Sequence, residues 1–416
     1  MLFIKNTFSF MFFFLSRHWY EIVPLVSTLA GVAYQLLIFA GVWQFFRLRG
    51  DGKTPSNSTM PPVSILKPIK GYDPGAYESF RSHCLQDYPE YEIVFGLSHS
   101  EDAAAPLIER LRREFPERRI ELVVCSQNLG MNPKTSKVLQ MIPAARYDYL
   151  VINDGDIRVE RDYLSHLMRG FRSKQIGMVT CLYSASAANS IGSRLEALSI
   201  STDFAPGVLA ARTLERGLHF GFGATIALPR AVLEKIGGLE SLVDYLAEDY
   251  VLGARVAQAG FRVEVSDQSV ETFLPAYTWT EFFQHQLRLA RGIRDSRPWG
   301  YFGSGITYLI PWAMITAALA GGAKWSLLLL AAALVLRFTS AITVAAGVLH
   351  DRQIWRDFWL LPLRDWVAAT IWLASFTGHS VTWRNTEYVL KDGKLLPKTP
   401  AAPESQHPIS CSSPKQ

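Results

Sequence analysis

The sequence predicts an α/β domain built on a mostly parallel sheet and flanked by membrane-spanning helices. Two patterns carry this. Between Pro62 and about Thr280, short apolar runs alternate with amphipathic stretches, and apolar segments of bilayer length lie on either side. The composition agrees: 49% hydrophobic and 19% charged, with a mean hydropathy of +0.10, is apolar for a soluble enzyme yet far from a pure transporter.

The first element is the segment Ile22–Phe46, which carries no charge. At about 1.5 Å per residue it exceeds a hydrocarbon core of about 30 Å. It is too long for a signal-peptide core and no small-residue cleavage site follows, so it reads as an anchor within residues 1–49. Met1–Ser16 is also rich in Phe but interrupted by Lys5, which fits an interfacial segment or a misplaced start. Arg47, Arg49 and Lys53 follow the anchor and, by the positive-inside tendency, place the next region in the cytoplasm. A Gly/Pro/Ser-rich linker occupies residues 50–61.

Residues 62–299 hold the α/β domain and a basic helix at its end. Val63–Ile69, Tyr91–Ser98, Ile120–Cys125, Tyr147–Asn153 and Met178–Tyr183 read as buried strands. Pro74–Gln86, Glu101–Glu114, Pro133–Ile142 and Arg161–Arg172 read as the helices between them. Strand–helix alternation of this kind means βαβ units and parallel pairing. Residues 300–385 turn apolar again, with Gly305–Ala320 and Trp325–Leu349 as spans. Phe358–Phe376 is a third, broken by Pro362, Arg364 and Asp365. Three spans would leave Lys391, Lys394 and Lys398 outside, against the charge rule, so the third reads as partly interfacial. Residues 386–416 read as a cytoplasmic or disordered tail, Pro/Ser-rich after Pro400.

Four cysteines, Cys84, Cys125, Cys181 and Cys411, show no paired or metal-ligand spacing and read as reduced thiols. A net charge of +5 is small for 416 residues. It fits basic patches at a membrane surface and argues against nucleic-acid binding.

Three motifs carry chemistry. Val151-Ile152-Asn153-Asp154-Gly155-Asp156 ends a strand in two aspartates, at the sheet edge where parallel sheets bind ligands. Two such carboxylates suit Mg²⁺ or Mn²⁺ completed by diphosphate oxygens; a surface turn is the bland alternative. Tyr245-Leu246-Ala247-Glu248-Asp249-Tyr250 opens a helical pattern, where the acids either cap the dipole or supply a general base. Gln284-His285-Gln286-Leu287-Arg288, with Arg291, Arg294 and Arg297, is a basic helix. It either meets anionic headgroups or stabilises a departing diphosphate.

In this order the motifs resemble family 2-like glycosyltransferases of the GT-A (Rossmann-like) fold. The likeness is greatest to the ceramide glucosyltransferase family and its bacterial relatives in hopanoid biosynthesis. Leu66-Lys67-Pro68-Ile69-Lys70-Gly71, Asn132-Pro133-Lys134-Thr135-Ser136-Lys137, Asp154-Gly155-Asp156-Ile157-Arg158-Val159 and Ser296-Arg297-Pro298 add to it. The resemblance implies a UDP-sugar donor, a lipid acceptor in the bilayer (a hopanoid or a ceramide) and an inner-membrane, multi-pass protein. It implies that Asp154 and Asp156 bind the metal and diphosphate, with Lys134 near the nucleotide phosphates. It makes Asp249 the catalytic base and places Arg288 in the basic motif. Two departures stand out. Leu289 follows Arg288 where the family has Trp, and His285 stands where Gln or Arg is usual. The aspartate that holds the uridine is represented here by either Glu101 or Asp102. The likeness favours N-acetylglucosamine onto a hydroxylated hopanoid, with glucose onto ceramide second. A processive polysaccharide synthase shares the motifs but usually needs more spans. A transporter or tethered binding module explains the spans, with Arg337, Arg364 and Asp365 as its support, but not the sheet-edge carboxylates.

Overall fold

A computed structural model describes residues 2–50, 60–71, 75–383 and 386–398, with side chains from 20 to 47 in the first stretch. The side chain of Arg49, Lys53, Pro74, Cys411, most of the linker and the stretch after Pro400 lie outside them.

The chain enters through α1 (Leu2–Gly50) and then alternates strand and helix: β1 (Val63–Pro68), α2 (Ala76–Cys84), β2 (Tyr91–Leu97), α3 (Ala105–Glu114), β3 (Arg119–Val124), α4 (Pro133–Met141), β4 (Tyr149–Asn153), α5 (Tyr163–Arg169) and β5 (Ile176–Thr180). The expected strands and helices to this point are all present. Then come β6 (Tyr183–Ala187), α6 (Ile191–Ser199), a π-helical turn at Ile200–Phe204, α7 (Ala205–Leu214), β7 (Thr225–Pro229), α8 (Arg230–Lys235), α9 (Glu248–Gln258), β8 (Arg262–Val265), β9 (Val270–Leu274) and α10 (Trp279–Ser296).

Seven strands form one sheet in the order β3-β2-β1-β4-β7-β5-β8. All neighbours are parallel except β7, which runs antiparallel between β4 and β5. The apolar runs are continuous because both faces are covered. Along β1, β2 and β4, Leu66, Val94 and Ile152 enter one core with α4, α7 and the end of α1. Ile65, Ile93 and Val151 enter the other with α2, α3 and α5. A parallel pair, β6 and β9, stands beside the sheet. The three described cysteines are free and buried, as expected of reduced thiols.

Among the described residues, two helices are long and apolar enough to cross a membrane: Tyr20–Arg47 within α1, and Lys324–Val348. Val23, Val26, Leu29 and Leu36 of the first are exposed, as lipid-facing residues would be. Its other side grips the domain. A side chain at Gly41 would sit 2.8 Å from the Leu209 carbonyl oxygen, so this crossing of α1 and α7 needs glycine.

The C-terminal half corrects three expectations. After α11 (Pro298–Gly303), α12 (Leu309–Leu319) is one limb of a pair bent by 56°, a broken span or a re-entrant loop, not the straight span expected at Gly305–Ala320. The second span is α13 (Lys324–Ile342) continued by a π turn at Thr343–Val348. After α14 (Ile354–Asp357), α15 (Leu361–Ser375) has 15 residues, about 22 Å, which is short of a bilayer core. Pro362 does not break it but sits in its first turn, where proline is tolerated. The charges that read as functional pair with one another. The Arg337 guanidinium donates to Asp203 at 2.6 Å and to Asp365 at 2.8 Å, and Arg364 meets Asp203 at 2.8 Å. Two cations against two anions make a neutral cluster, which is how buried charges become tolerable.

The third correction concerns the expected tail. Residues 380–397 form an antiparallel sheet of β10 (Ser380–Trp383), β11 (Thr386–Lys391) and β12 (Lys394–Pro397). It is bonded to the α/β domain: the Leu395 amide donates to the Asp244 carbonyl, and the Leu246 amide to the Gly393 carbonyl. Lys391 and Lys394 therefore belong to a sheet bonded to the domain, with Lys398 directly after it, so the segment expected as a disordered tail is ordered up to there and lies on the domain's own side.

Candidate active site

The site is built at the carboxyl end of β4. Asn153, fully buried, donates to Thr225 Oγ1 at 2.8 Å and to the Ala224 carbonyl, locking the ends of β4 and β7 together. The next residues, Asp154-Gly155-Asp156, emerge at the sheet edge. From β1, the buried Lys67 ammonium donates to the Asp154 carbonyl at 2.9 Å and fixes the turn from below. Thr272 of β9 donates to the Asp156 carboxylate.

The start of α4 meets the start of α9 above this turn. Asn132 caps α4, accepting from the Lys134 amide at 3.0 Å and the Thr135 amide at 3.2 Å. Its amide group donates to Glu248 at 2.9 Å. The Lys134 ammonium then bridges Asp154 at 2.6 Å and Glu248 at 3.0 Å. Asp249 lies in the first turn of α9, accepts from the Tyr250 amide at 2.8 Å, and points into the same space. A side chain added at Gly223 would sit 3.0 Å from Asp249 Oδ2, 3.1 Å from Lys134 Nζ and 3.5 Å from Asp154 Oδ2. Glycine is what leaves this meeting point open.

The electrostatics are unbalanced. Asp154, Asp156, Glu248 and Asp249 bring four negative charges, and Lys67 and Lys134 bring two positive ones. Burial raises the Asp156 carboxyl above its ordinary range, and Asp154 adds to the rise. Burial, then Glu248, raises Asp249 to about 7 against the pull of Lys134. Burial lowers Lys67 to about 7, while Asp156 and Asp154 oppose it. Burial alone would lower Lys134 too, but Asp154, Glu248 and Asp249 reverse this and hold it above the usual lysine range. Two carboxylates one residue apart, of which Asp156 is raised by burial and by its neighbour, in a site short of positive charge, are donors that a divalent oxygen-seeking cation fits. No group of three or more His, Cys, Asp or Glu is arranged around a metal position among the described residues.

The sequence profile of glycosyl transferase family 21 matches residues 23–396. The chain belongs to this family. Among relatives, ceramide glucosyltransferase 1 of Caenorhabditis elegans is 25% identical over 265 residues, 64% of this chain and 55% of its own. Ceramide glucosyltransferase 3 of the same organism is 25% identical over 234 residues, 56% of this chain and 50% of its own. The chain thus spans about half the length of these relatives. Among solved structures, a mannosyltransferase from Pyrobaculum calidifontis in complex with GDP-Man and Mn²⁺ superposes with a TM-score of 0.49 at 20% identity, over 86% of this chain and 97% of that one. S. aureus TarS 1-349 in complex with UDP-GlcNAc gives 0.36 at 13% identity, over 80% and 99%.

In this family 21 chain the remaining expected residues fall around the rim. Glu101 is fully exposed and held by the Ser100 hydroxyl, whose hydrogen bond lowers its pKa. Asp102 is tied inward: it accepts from the Gly71 amide at 3.2 Å and the Ala104 amide at 3.0 Å, shaping the loop after β1. That loop lines a cleft with Ser79, Gly155, Asp156 and Phe273. Arg288 approaches from α10, its guanidinium 5.6 Å from the Trp383 ring centre of β10. An aromatic partner for this arginine comes from another strand, although Leu289 follows it in sequence. Arg291 and Arg294 are structural: Arg291 bonds the Ser380 carbonyl at 2.5 Å, and Arg294 bonds the carbonyls of Ser375 and Gly378.

The sequence assigned no role to Lys67, Asn132, Thr272 or Gly223, and gave Glu248 only as one of two acids opening a helix. Lys67, Asn132 and Glu248 lie inside the quoted motifs, so their positions were in view while their partners were not. Thr272 comes from a strand the periodicity did not reveal.

Proposed function

We propose that this chain is an inverting glycosyltransferase that moves a sugar from a UDP-sugar to the hydroxyl of a membrane lipid. The observation that carries the reading is the meeting of Asp154, Lys134 and Asp249 around Gly223, at the sheet edge and beside helices able to cross a membrane. Asp154 and Asp156 would hold Mg²⁺ or Mn²⁺, which when bound neutralises charge on the donor diphosphate. Lys134 lies where it can reach those phosphates, and either Glu101 or Asp102 would hold the uridine, Asp102 being the one bonded to Gly71 of the cleft wall. Asp249, on α9 beside the same Gly223 position, removes the acceptor hydroxyl proton as that oxygen attacks the anomeric carbon. Arg288 supports the departing diphosphate from the α10 side.

For the sugar and lipid, N-acetylglucosamine onto a hopanoid rests on the sequence likeness. Glucose onto a ceramide rests on the names of the two Caenorhabditis elegans relatives. The purified full chain, given UDP-sugar and lipid, is expected to release UDP and yield a glycolipid whose mass identifies both partners. An absence of UDP release with every donor and lipid would overturn the reading.

The protein is read as an inner-membrane, multi-pass enzyme with its catalytic domain in the cytoplasm, where UDP-sugars are. Arg47 beside the first span carries the orientation. A bent span followed by α13 returns the chain to that side, where β10–β12 meet the domain. Protease added to intact spheroplasts should leave residues 62–299 uncut, and external cleavage there would contradict the topology.

A further inference from the structure

The hairpin that follows the membrane segments reaches the site from outside. Its turn, Asp392-Gly393, has both residues in the left-handed region, with φ of 53° and 78°, the two-residue geometry that suits a twisted hairpin. Lys394, just past that turn, lies opposite Tyr245 in an antiparallel bridge. The Leu395 amide donates to the Asp244 carbonyl at 2.8 Å and the Leu246 amide to the Gly393 carbonyl at 3.0 Å, so residues 244–246 run along β12 as a further strand would. Leu246 and Met131 pack together against Val381, Leu390 and Leu395 of the sheet.

The other edge of the same segment holds the start of α4. The Met131 amide donates to the Asp244 carboxylate at 2.9 Å, and the Asn132 amide to the Val243 carbonyl at 2.6 Å. The Asn132 side-chain amide donates to the Tyr245 carbonyl at 2.8 Å. A side chain added at Gly130 would sit 2.5 Å from that of Val243, so the two segments approach closely enough to need glycine. Asn132 is also the cap of α4 beneath Lys134, and the same side-chain amide reaches Glu248, the neighbour of Asp249. Asp244 is therefore bonded on both sides, by its carbonyl to the C-terminal sheet and by its carboxylate to the loop that starts α4. The sheet in turn is fixed to α10, where the Gly393 amide donates to Asp295 and Trp383 lies against Arg288.

We propose that Asp244 is a positioning residue of this site: through its two bonds the C-terminal sheet sets where α4 and α9 begin, and so where Lys134 and Asp249 stand relative to the turn that carries Asp154. The effect on rate rests on the transfer reading above. Asp244 touches no substrate in this scheme and acts through Asn132, whose bonds to the Lys134 amide and to Glu248 pass the placement on. A displacement of about 1 Å in a reacting group can cost about a hundredfold in rate, so a tie of this kind matters more to turnover than to folding. The sheet also makes one unit of the basic helix and the loop of acids, which lie almost 40 residues apart in sequence.

Two substitutions at Asp244 separate positioning from mere support. Asp244→Ala leaves the Met131 amide without its acceptor, whereas Asp244→Asn keeps a side-chain oxygen there. In the full chain in detergent, hydrogen exchange of residues 131–137 and 247–252 should quicken by about tenfold in Asp244→Ala and stay within about twofold of the parent in Asp244→Asn. With UDP-sugar and lipid, Asp244→Ala should raise the donor KM and lower kcat, together by about ten- to a hundredfold in kcat/KM, and Asp244→Asn should recover most of this. A tie that only supports the fold would lower Tm and the amount of active enzyme, but leave the donor KM and the kcat per folded molecule as they were. Gly393→Ala disturbs the same segment from the sheet side, since its added carbon meets a left-handed φ and sits 3.2 Å from the Tyr245 ring. It should also quicken exchange at residues 131–137, which tests the tie even if Asp244→Ala does not fold. Unchanged exchange in these variants, an Asp244→Asn as impaired as Asp244→Ala, or parent-like KM and kcat in Asp244→Ala would overturn the proposal. An absence of UDP release from the parent with every donor and lipid would count instead against the transfer reading, because the exchange measurements need no turnover.

Discussion

Asp154→Ala is expected to abolish sugar transfer while the protein still folds, and Asp156→Ala is expected to do the same. The two carboxylates share one turn at the end of β4, and Asp156 is already raised by burial and by its neighbour. Two like charges this close are stable together only with a cation to offset them. Without either one, a bound Mg²⁺ or Mn²⁺ would lose one of the two carboxylates proposed to hold it. Lewis-acid stabilisation of a departing diphosphate is worth several kcal/mol, so turnover should fall by at least about 10³-fold. The turn itself is held by other groups, namely Lys67 through the Asp154 carbonyl and Asn153 through β7, so thermal melts should stay cooperative. EDTA should silence the parent enzyme and added Mg²⁺ or Mn²⁺ should restore it. Full activity in EDTA would remove the metal from the assignment.

How much of this was legible depends on where each constraint lies. The strands of the first half could be read because burial on both faces writes itself as an unbroken apolar run, as in Val63–Ile69. The strand-end pair Asp154 and Asp156 could be read because a motif and a strand terminus coincide in sequence. Lys67 could not: a lysine at the end of an apolar strand reads as an exposed terminus, and only the fold shows it buried beneath Asp154. The C-terminal sheet was missed because its strands have four to six residues and follow directly on an apolar segment. Their burial comes from Tyr245 and Leu246, about 150 residues upstream, a pairing no local pattern carries. The charges of α13 and α15 misled in the opposite direction. Arg337 and Asp365 look functional one at a time and are a mutual pair in space.

The largest mechanistic effect is expected at Asp249. General-base help is typically worth about 10²–10⁴-fold in rate, so Asp249→Asn should lower kcat by that factor. The amide keeps the size and still accepts from the Tyr250 amide, but it takes no proton at neutral pH. UDP affinity should barely change, because Asp249 faces Gly223 from the α9 side, whereas the diphosphate end is proposed to lie at the pair after β4. Inversion follows from a single displacement, so an α-linked UDP-sugar should give a β-linked glycolipid. The pH dependence has a definite sign. Burial and Glu248 raise the Asp249 carboxyl to about 7, and only the ionised form is a base, so kcat should climb with pH through that region. A cation beside Asp154 pulls the value back toward the ordinary range, so the rise in the metal-loaded enzyme should fall at or below pH 7. Stability runs the other way. A carboxyl raised on folding carries a penalty that grows above its unfolded value and is complete above its folded one. Asp249→Asn should therefore raise Tm more at pH 8 than at pH 5, even as it silences turnover. A plain helix-start carboxylate would lose stability on this change and keep its rate. An α-linked product, or a variant within a few fold of the parent turnover, would return Asp249 to that lesser role.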